Sequence, residues 1–393
     1  MLGSFEIARR LKDVRPSGIR HFSRLARSLP DVISLGLGEP DFTPPPHVLE
    51  AATRAMDEGK THYTPTAGIA ELREALVRKT KRDYGLSYDP DSEVLITNGA
   101  IEGIFLAIFA LVNPGSEVLV PDPRFVCYDP DIAMAGGVSI PMPMREENDF
   151  RLDAGSVISL ITPESRVMIT NSPNNPTGSV LTQKDAAEIA KLAVERDLIV
   201  ISDEVYEKIL YDGSEHFCLA TFPGMRERTI VVNSFSKTYA MTGFRLGYAL
   251  GPKELIAALA QVHEHFVACV NGPAQYAALA ALQGPQDFVR NMVSEFDRRR
   301  RLLHSGLNAI EGFSCVLPKG AFYVFANIGD FGLPSEEFAE YLLSDRAKGR
   351  VETVPGSAFG QYGEGYVRFS YATAYNNIEE ALVRIEKTVK AFR

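Results

Sequence analysis

The chain has no tryptophan and only four cysteines, Cys127, Cys218, Cys269 and Cys315, which form no CxxC pair. Reduced thiols are therefore expected, and neither a disulfide framework nor a cysteine-rich zinc site. The seven histidines include no HExxH, and His263 and His265, two apart, fall on different faces of a helix, so no metal site is expected. Positive charge is also short: the net charge is -9, which argues against a nucleic-acid surface as the main function. The run of arginines at 298–301 follows Asp297 inside a helical pattern and reads as a solvated helix face. Long apolar runs are missing, the longest plain one being 104–112, too short to cross a bilayer. The first residues, MLGSFEIARRLKDV, lack the apolar centre of a signal peptide. A cytoplasmic protein that engages no membrane is the expectation.

Three common catalytic signatures fail as well. Gly59-Lys60-Thr61 ends like a phosphate-binding loop, but position 54 is Arg54 where a glycine is needed, and the preceding pattern is helical. Gly36-Leu37-Gly38 runs into Glu39-Pro40 and not into a dinucleotide-binding helix. No GxSxG elbow occurs.

What is present is a globular composition, 45% hydrophobic and 23% charged over 393 residues, enough for two or three domains. Short apolar runs alternate with longer helical patterns, which predicts an α/β fold with a mostly parallel sheet between helical layers. Strands are expected at 94–97, 117–120, 167–170, 198–202 and 229–233, and helices at 100–111 and 184–196. The run at 198–201, apolar on both sides of the pleat, reads as a central strand. Beyond residue 285 the pattern changes to a long helix (285–310), strands at 320–326 and 366–371, and a final helix from about Asn376. The expected division is an N-terminal arm and part of a small domain at 1–45, a large domain at 46–284, and a smaller α+β domain at 285–393.

Ligands of parallel sheets bind beyond the carboxyl ends of the strands. Polar residues gather at four such ends: Thr97-Asn98-Gly99, the 171–178 stretch NSPNNPTG, Ser202-Asp203-Glu204-Val205-Tyr206, and Asn233-Ser234-Phe235-Ser236-Lys237. Each has an ordinary reading alone. A lysine is usually at the surface, an aspartate after a strand is often a helix cap, Asn175 is by default a turn residue, and Arg245 or Arg368 is more often an ion-pair partner than a clamp. Together they form a set that those readings do not predict.

The set resembles the fold-type I, class I aminotransferases, which depend on pyridoxal 5′-phosphate (PLP). The resemblance is carried, in order, by LGLGEPDF (35–42), HYTPTAGIAELREAL (62–76), TNGAIEG (97–103), NSPNNPTG (171–178), ISDEVYE (201–207), SFSKTYAMTGFRLGY (234–248) and VRFSYA (367–372). It runs from about Ser17 to the C-terminus, and PRFVCY (123–128) is similar to archaeal-type aromatic and aspartate aminotransferases.

The resemblance implies a role for each residue. Lys237 matches the Schiff-base lysine that shuttles a proton at substrate Cα. Asp203 matches the partner of the pyridine nitrogen, and Asn175 and Tyr206 the donors to the ring 3-oxygen. Lys237, Asp203 and Tyr206 are thus the catalytic candidates. The amides of Gly99, Ala100 and Ile101, with Ser234, Ser236 and Arg245, match the phosphate site. Phe125 matches the ring-stacking aromatic, with Tyr128 alongside. Tyr63 matches a tyrosine that reaches the phosphate of a second subunit, which implies a homodimer. Arg368 matches the α-carboxylate clamp; Gly38, Phe125 and Asn175 join it at the substrate, and Arg20 is a further candidate from the N-terminal arm. The implied activity passes the amino group of an L-amino acid, aspartate or aromatic, to 2-oxoglutarate. A C–S lyase, decarboxylase or acyltransferase on the same fold is the alternative. A PLP-domain transcription regulator lacks room for its winged helix before Ser17, and a dehydrogenase or kinase-like protein lacks its motifs.

Overall fold

The computed structural model describes residues 8–12, 14 and 16–392. Seven strands build the central sheet: β1 (Val94–Thr97), β2 (Glu117–Asp122), β3 (Val138–Pro143), β4 (Ser165–Asn171), β5 (Ile199–Asp203), β6 (Thr229–Ser234) and β7 (Gly247–Leu250). Their order is β1-β7-β6-β5-β4-β2-β3, with β7 antiparallel to both neighbours and the other pairs parallel. The apolar run at 198–201 enters β5, the middle strand, where Val200 and Ile201 are fully buried. Because β7 reverses between β1 and β6, the carboxyl ends of β1, β4, β5 and β6 lie along one edge of the sheet.

Two strands of this central sheet fall outside the sequence expectation. β3 contains Pro141 and Pro143, which speak against a strand; it lies at the sheet edge, where a missing N–H is tolerated. β7 is only four residues long and begins at Gly247, where a Cβ would press on the backbone of Gly99 and Ala100. The helices expected at 100–111 and 184–196 are Gly99–Leu111 and Gln183–Glu195, the second opened by a capping box between Thr182 and Asp185.

The smaller α+β part carries an antiparallel sheet of β8 (Ser314–Cys315), β9 (Tyr323–Asn327), β10 (Val354–Pro355) and β11 (Tyr366–Ser370), in the order β10-β11-β9-β8. The long helix is Asp287–Ala309 and the last one Tyr375–Phe392. From the N-terminal side, the strand Val32–Ser34 pairs in parallel with Arg350–Glu352, so the chain beside Gly36 and Gly38 is anchored to C-terminal structure. No helix among the described residues is long and apolar enough to cross a membrane.

The arginine run corrects one expectation. Arg298 and Arg301 are exposed, but Arg299 and Arg300 are buried. Arg299 reaches Asp41 (2.8 Å). Arg300 spans Asp212 with both terminal nitrogens (3.0 and 2.9 Å), meets Asp297 through Nε (2.8 Å) and donates to the Pro318 carbonyl (2.6 Å). Four consecutive helical positions sweep around the whole circumference, so a run of like charge cannot stay on one face. Arg300→Ala leaves Asp212 with Arg301 and Lys319 and Asp297 with Arg301, but removes the buried guanidinium and its bond to the Pro318 carbonyl. It costs about 2 kcal/mol, expected as a lower denaturant midpoint, and an unchanged midpoint counts against the bridge.

Candidate active site

The end of β4 supplies the first wall. Asn171 accepts the backbone N–H of Asn175 on its side-chain oxygen (2.9 Å), and its amide donates to the Asp203 carbonyl (3.1 Å). Asn174 accepts from the Thr177 N–H (3.1 Å), closing the 171–178 loop on itself. Held in this way, Asn175 accepts Arg368 Nη1 on Oδ1 (2.9 Å), and its amide nitrogen is the donor that it can offer a ligand.

Asp203 closes β5 and is 3% exposed. Its carboxylate accepts the Tyr128 hydroxyl (2.6 Å) and the Val205 N–H (3.4 Å). Burial pushes its pKa up to about 6, against the pull of those two donors. The Tyr128 ring in turn meets Phe125 edge-on at 6.0 Å.

At the end of β6, Ser234 caps the short helix Phe235–Thr238, its hydroxyl accepting the Ser236 N–H (3.3 Å). One residue later Lys237 donates to the Gly38 carbonyl (2.5 Å). Burial lowers the Lys237 amine to about 8; Glu39 opposes that shift, and Arg368 and Arg245 add to it. Arg245, in a left-handed backbone conformation, donates to the Thr242 carbonyl (3.1 Å) and lies against Gly99, where a Cβ would come within 2.7 Å of its guanidinium. Gly99 itself has φ +76 and opens the helix whose first amides face the same space.

Arg368 comes from β11 and is 1% exposed. Besides Asn175 it donates to the Gly36 carbonyl (2.6 Å), and its guanidinium lies over the rings of Tyr323 (4.3 Å) and Phe359 (4.8 Å). Its Nε has no partner among the described residues, a buried donor free for an anion.

These groups line one cavity of about 290 Å³. Of the residues singled out in the sequence, Gly38, Ala100, Ile101, Phe125, Asn175, Asp203, Tyr206, Ser234, Ser236, Lys237, Arg245 and Arg368 lie on its wall. Gly99 stands just behind it against Arg245. Tyr63 is outside, 91% exposed, and Arg20 is exposed while its neighbour Ile19 lines the cavity. A larger cleft of about 710 Å³, between 149–151, 177–183 and 316–319, holds none of the candidate side chains.

Tyr323, Thr242 and Glu39 are polar wall residues to which the sequence assigned no role, although the last two lie inside the stretches 234–248 and 35–42. Tyr323 sits in an apolar strand and reads as core, yet its hydroxyl meets the Tyr206 hydroxyl at 2.8 Å and fills the space a Cβ on Gly38 would need. Thr242 and Glu39, joined by a hydrogen bond, lie 203 residues apart. The assembled site has a cationic and amide-rich end with the exposed Arg245, a buried carboxylate, a lysine of lowered pKa, and one buried arginine, Arg368. It suits a bound phosphorylated heterocycle and a small carboxylate beside it.

The aminotransferase class I and II family matches residues 30–385. The chain is 46% identical to an aromatic-amino-acid aminotransferase of Thermococcus litoralis over 97% of both chains. It is 47% identical to an aspartate aminotransferase of Pyrococcus abyssi, again over 97% of both. Among solved structures it is similar to the aspartate aminotransferase of Thermus thermophilus with maleate, with TM-score 0.93, 40% identity, and 98% of this chain and 100% of that one covered.

Proposed function

Because this chain belongs to the class I and II aminotransferases, we propose that its 290 Å³ cavity holds PLP, the cofactor of class I aminotransferases, and moves the amino group of aspartate or an aromatic amino acid to 2-oxoglutarate. One observation carries the reading: a lysine held near pKa 8, a buried carboxylate and a buried arginine with a free Nε share one wall. The residues present fit the cofactor. The amides after Gly99, with Ser234, Ser236 and Arg245, offer donors and charge for a phosphate; Asp203 suits a protonated ring nitrogen; Asn175 and Tyr206 suit the 3-oxygen; Phe125 suits the ring face. Bound there, PLP supplies an electron sink for the pair left on substrate Cα when its proton departs.

The chain's own groups do the rest. Lys237 would attach the cofactor and, once the incoming amino group has displaced it, would take the proton from substrate Cα and deliver it to the cofactor's C4′ carbon, for which it must be a free amine. The single-turnover rate should therefore rise with pH and level off above about 8; a rate independent of pH between 6 and 9 would exclude that role. Arg368 grips the α-carboxylate and leaves the side chain to the rest of the wall. Tyr128 keeps Asp203 ionised. Without its hydroxyl the carboxylate rises from about 6 by about one further unit, the worth of one hydrogen bond. Tyr128→Phe should accordingly shift the acid limit of PLP uptake upward, measured by absorbance of apoprotein titrated at a series of pH values.

Tyr63 at 91% exposure supports the proposal that a second copy completes the site. So does the aromatic cluster of Phe105, Phe109 and Phe266, whose first two members ride on the helix that opens at Gly99. We place the protein in the cytoplasm as a homodimer, to be checked by light scattering. The decisive experiment supplies PLP-loaded protein with one amino acid and no oxo acid. One equivalent of the matching 2-oxo acid without ammonia is expected; ammonia or sulfide release would instead indicate a lyase.

A further inference from the structure

The turn at Gly99 is held from behind by groups to which no role has yet been given. Thr97, fully buried, donates from its hydroxyl to the Gly99 carbonyl (2.9 Å). A trans peptide points its C=O and N–H in opposite directions, so this bond turns the Ala100 N–H outward. The side chain of Asn98 does not cap the helix that follows it. Instead Glu102, in the first helical turn, reaches back: one carboxylate oxygen accepts both the backbone N–H of Asn98 and its side-chain amide (3.1 Å for the latter). Its other oxygen meets His263 Nδ1 at 2.9 Å. His263 is 0% exposed and belongs to the helix Lys253–Phe266, and its Nε2 has no partner among the described residues. A carboxylate only accepts, so the proton of this pair lies on Nδ1.

A carboxylate at a helix N-terminus competes for the positive end that a phosphate would use. On charge alone, Glu102 would weaken phosphate binding. The geometry points to a different role: we infer that Glu102, braced by His263, is a positioning residue that sets the Asn98–Gly99 turn so that its amides meet the phosphate of the cofactor. The inference rests on the proposed PLP site. The two hypotheses predict opposite signs, because removing a mere charge tightens phosphate binding, whereas removing a brace loosens it.

The test measures dissociation constants of apoprotein for PLP and for pyridoxal, which lacks the phosphate, by absorbance. Glu102→Ala is expected to weaken PLP about tenfold or more, as for a lost charge-assisted hydrogen bond, and to leave pyridoxal within about twofold. Glu102→Gln keeps an oxygen for Asn98 but sets an amide against the His263 N–H or loses that contact, and should weaken PLP by a smaller factor. This second variant decides the matter if the alanine variant does not fold. Tighter or unchanged PLP binding in the folded variants would overturn the inference, as would equal losses for PLP and pyridoxal. A wild-type protein that binds neither ligand would instead overturn the proposed function.

Discussion

Lys237→Ala loses turnover by about 10⁴-fold or more, the upper range for a positioned base that also forms the covalent attachment. The expectation follows from what else lines the cavity. Asp203 is held by Tyr128 and Val205, and its remaining acceptor capacity is the part assigned to the ring nitrogen, which keeps it from serving as the base at Cα. Tyr206 is hydrogen-bonded to Tyr323, and burial raises its pKa well above the ordinary phenol value, which makes it a poor base. Glu39 is engaged by Thr242. Lys237 combines a pKa lowered to about 8 with an amine nitrogen in the cavity, which an arginine cannot offer as a base. The phosphate end does not involve it, so the variant should still bind PLP, now without covalent attachment. A small primary amine added to the assay should restore part of the rate. Full activity in the variant would refute the assignment of Lys237.

Arg368→Lys is the second large effect. The guanidinium is placed by two donations, to Asn175 and Gly36, and by two rings, and it keeps Nε in reserve. A lysine has no planar fork and cannot reproduce those contacts while also offering a paired face to a carboxylate. A loss of about 3 kcal/mol, or roughly a hundredfold in kcat/KM, is expected. Every amino acid carries the same α-carboxylate, so the factor should be the same for acidic and aromatic donors. A penalty confined to one side-chain class would place Arg368 at the side chain instead.

Much of this site was legible because parallel α/β topology concentrates function at strand ends, and turn chemistry marks those ends in a sequence. Asp203, Lys237 and the 171–178 loop stand where apolar runs stop. The residues that escaped are those whose partners are remote or whose pattern is dominated by packing. Tyr323 alternates within a buried strand, and nothing local distinguishes a core tyrosine from one beneath a glycine. Arg299 and Arg300 read as solvated because charge is taken without the helical angle that turns two positions of the run inward. Of the N-terminal arm, Ile19 and not Arg20 meets the cavity: adjacent residues of a helix diverge by about 100°, and a charge draws the eye more than an isoleucine. The edge strand β3 was hidden by its prolines, which an outer position tolerates.

Arg368 also joins three distant parts of the chain, since it leaves β11, bonds Gly36 beside the N-terminal strand, and holds Asn175 beyond the central sheet. The carboxylate clamp thus exists only after all three have assembled, and a partly folded chain has nothing with which to grip substrate. Ligand that binds only the assembled form shifts the folding equilibrium by mass action. A dicarboxylate or amino acid should therefore protect all three segments from protease together, and by the same factor.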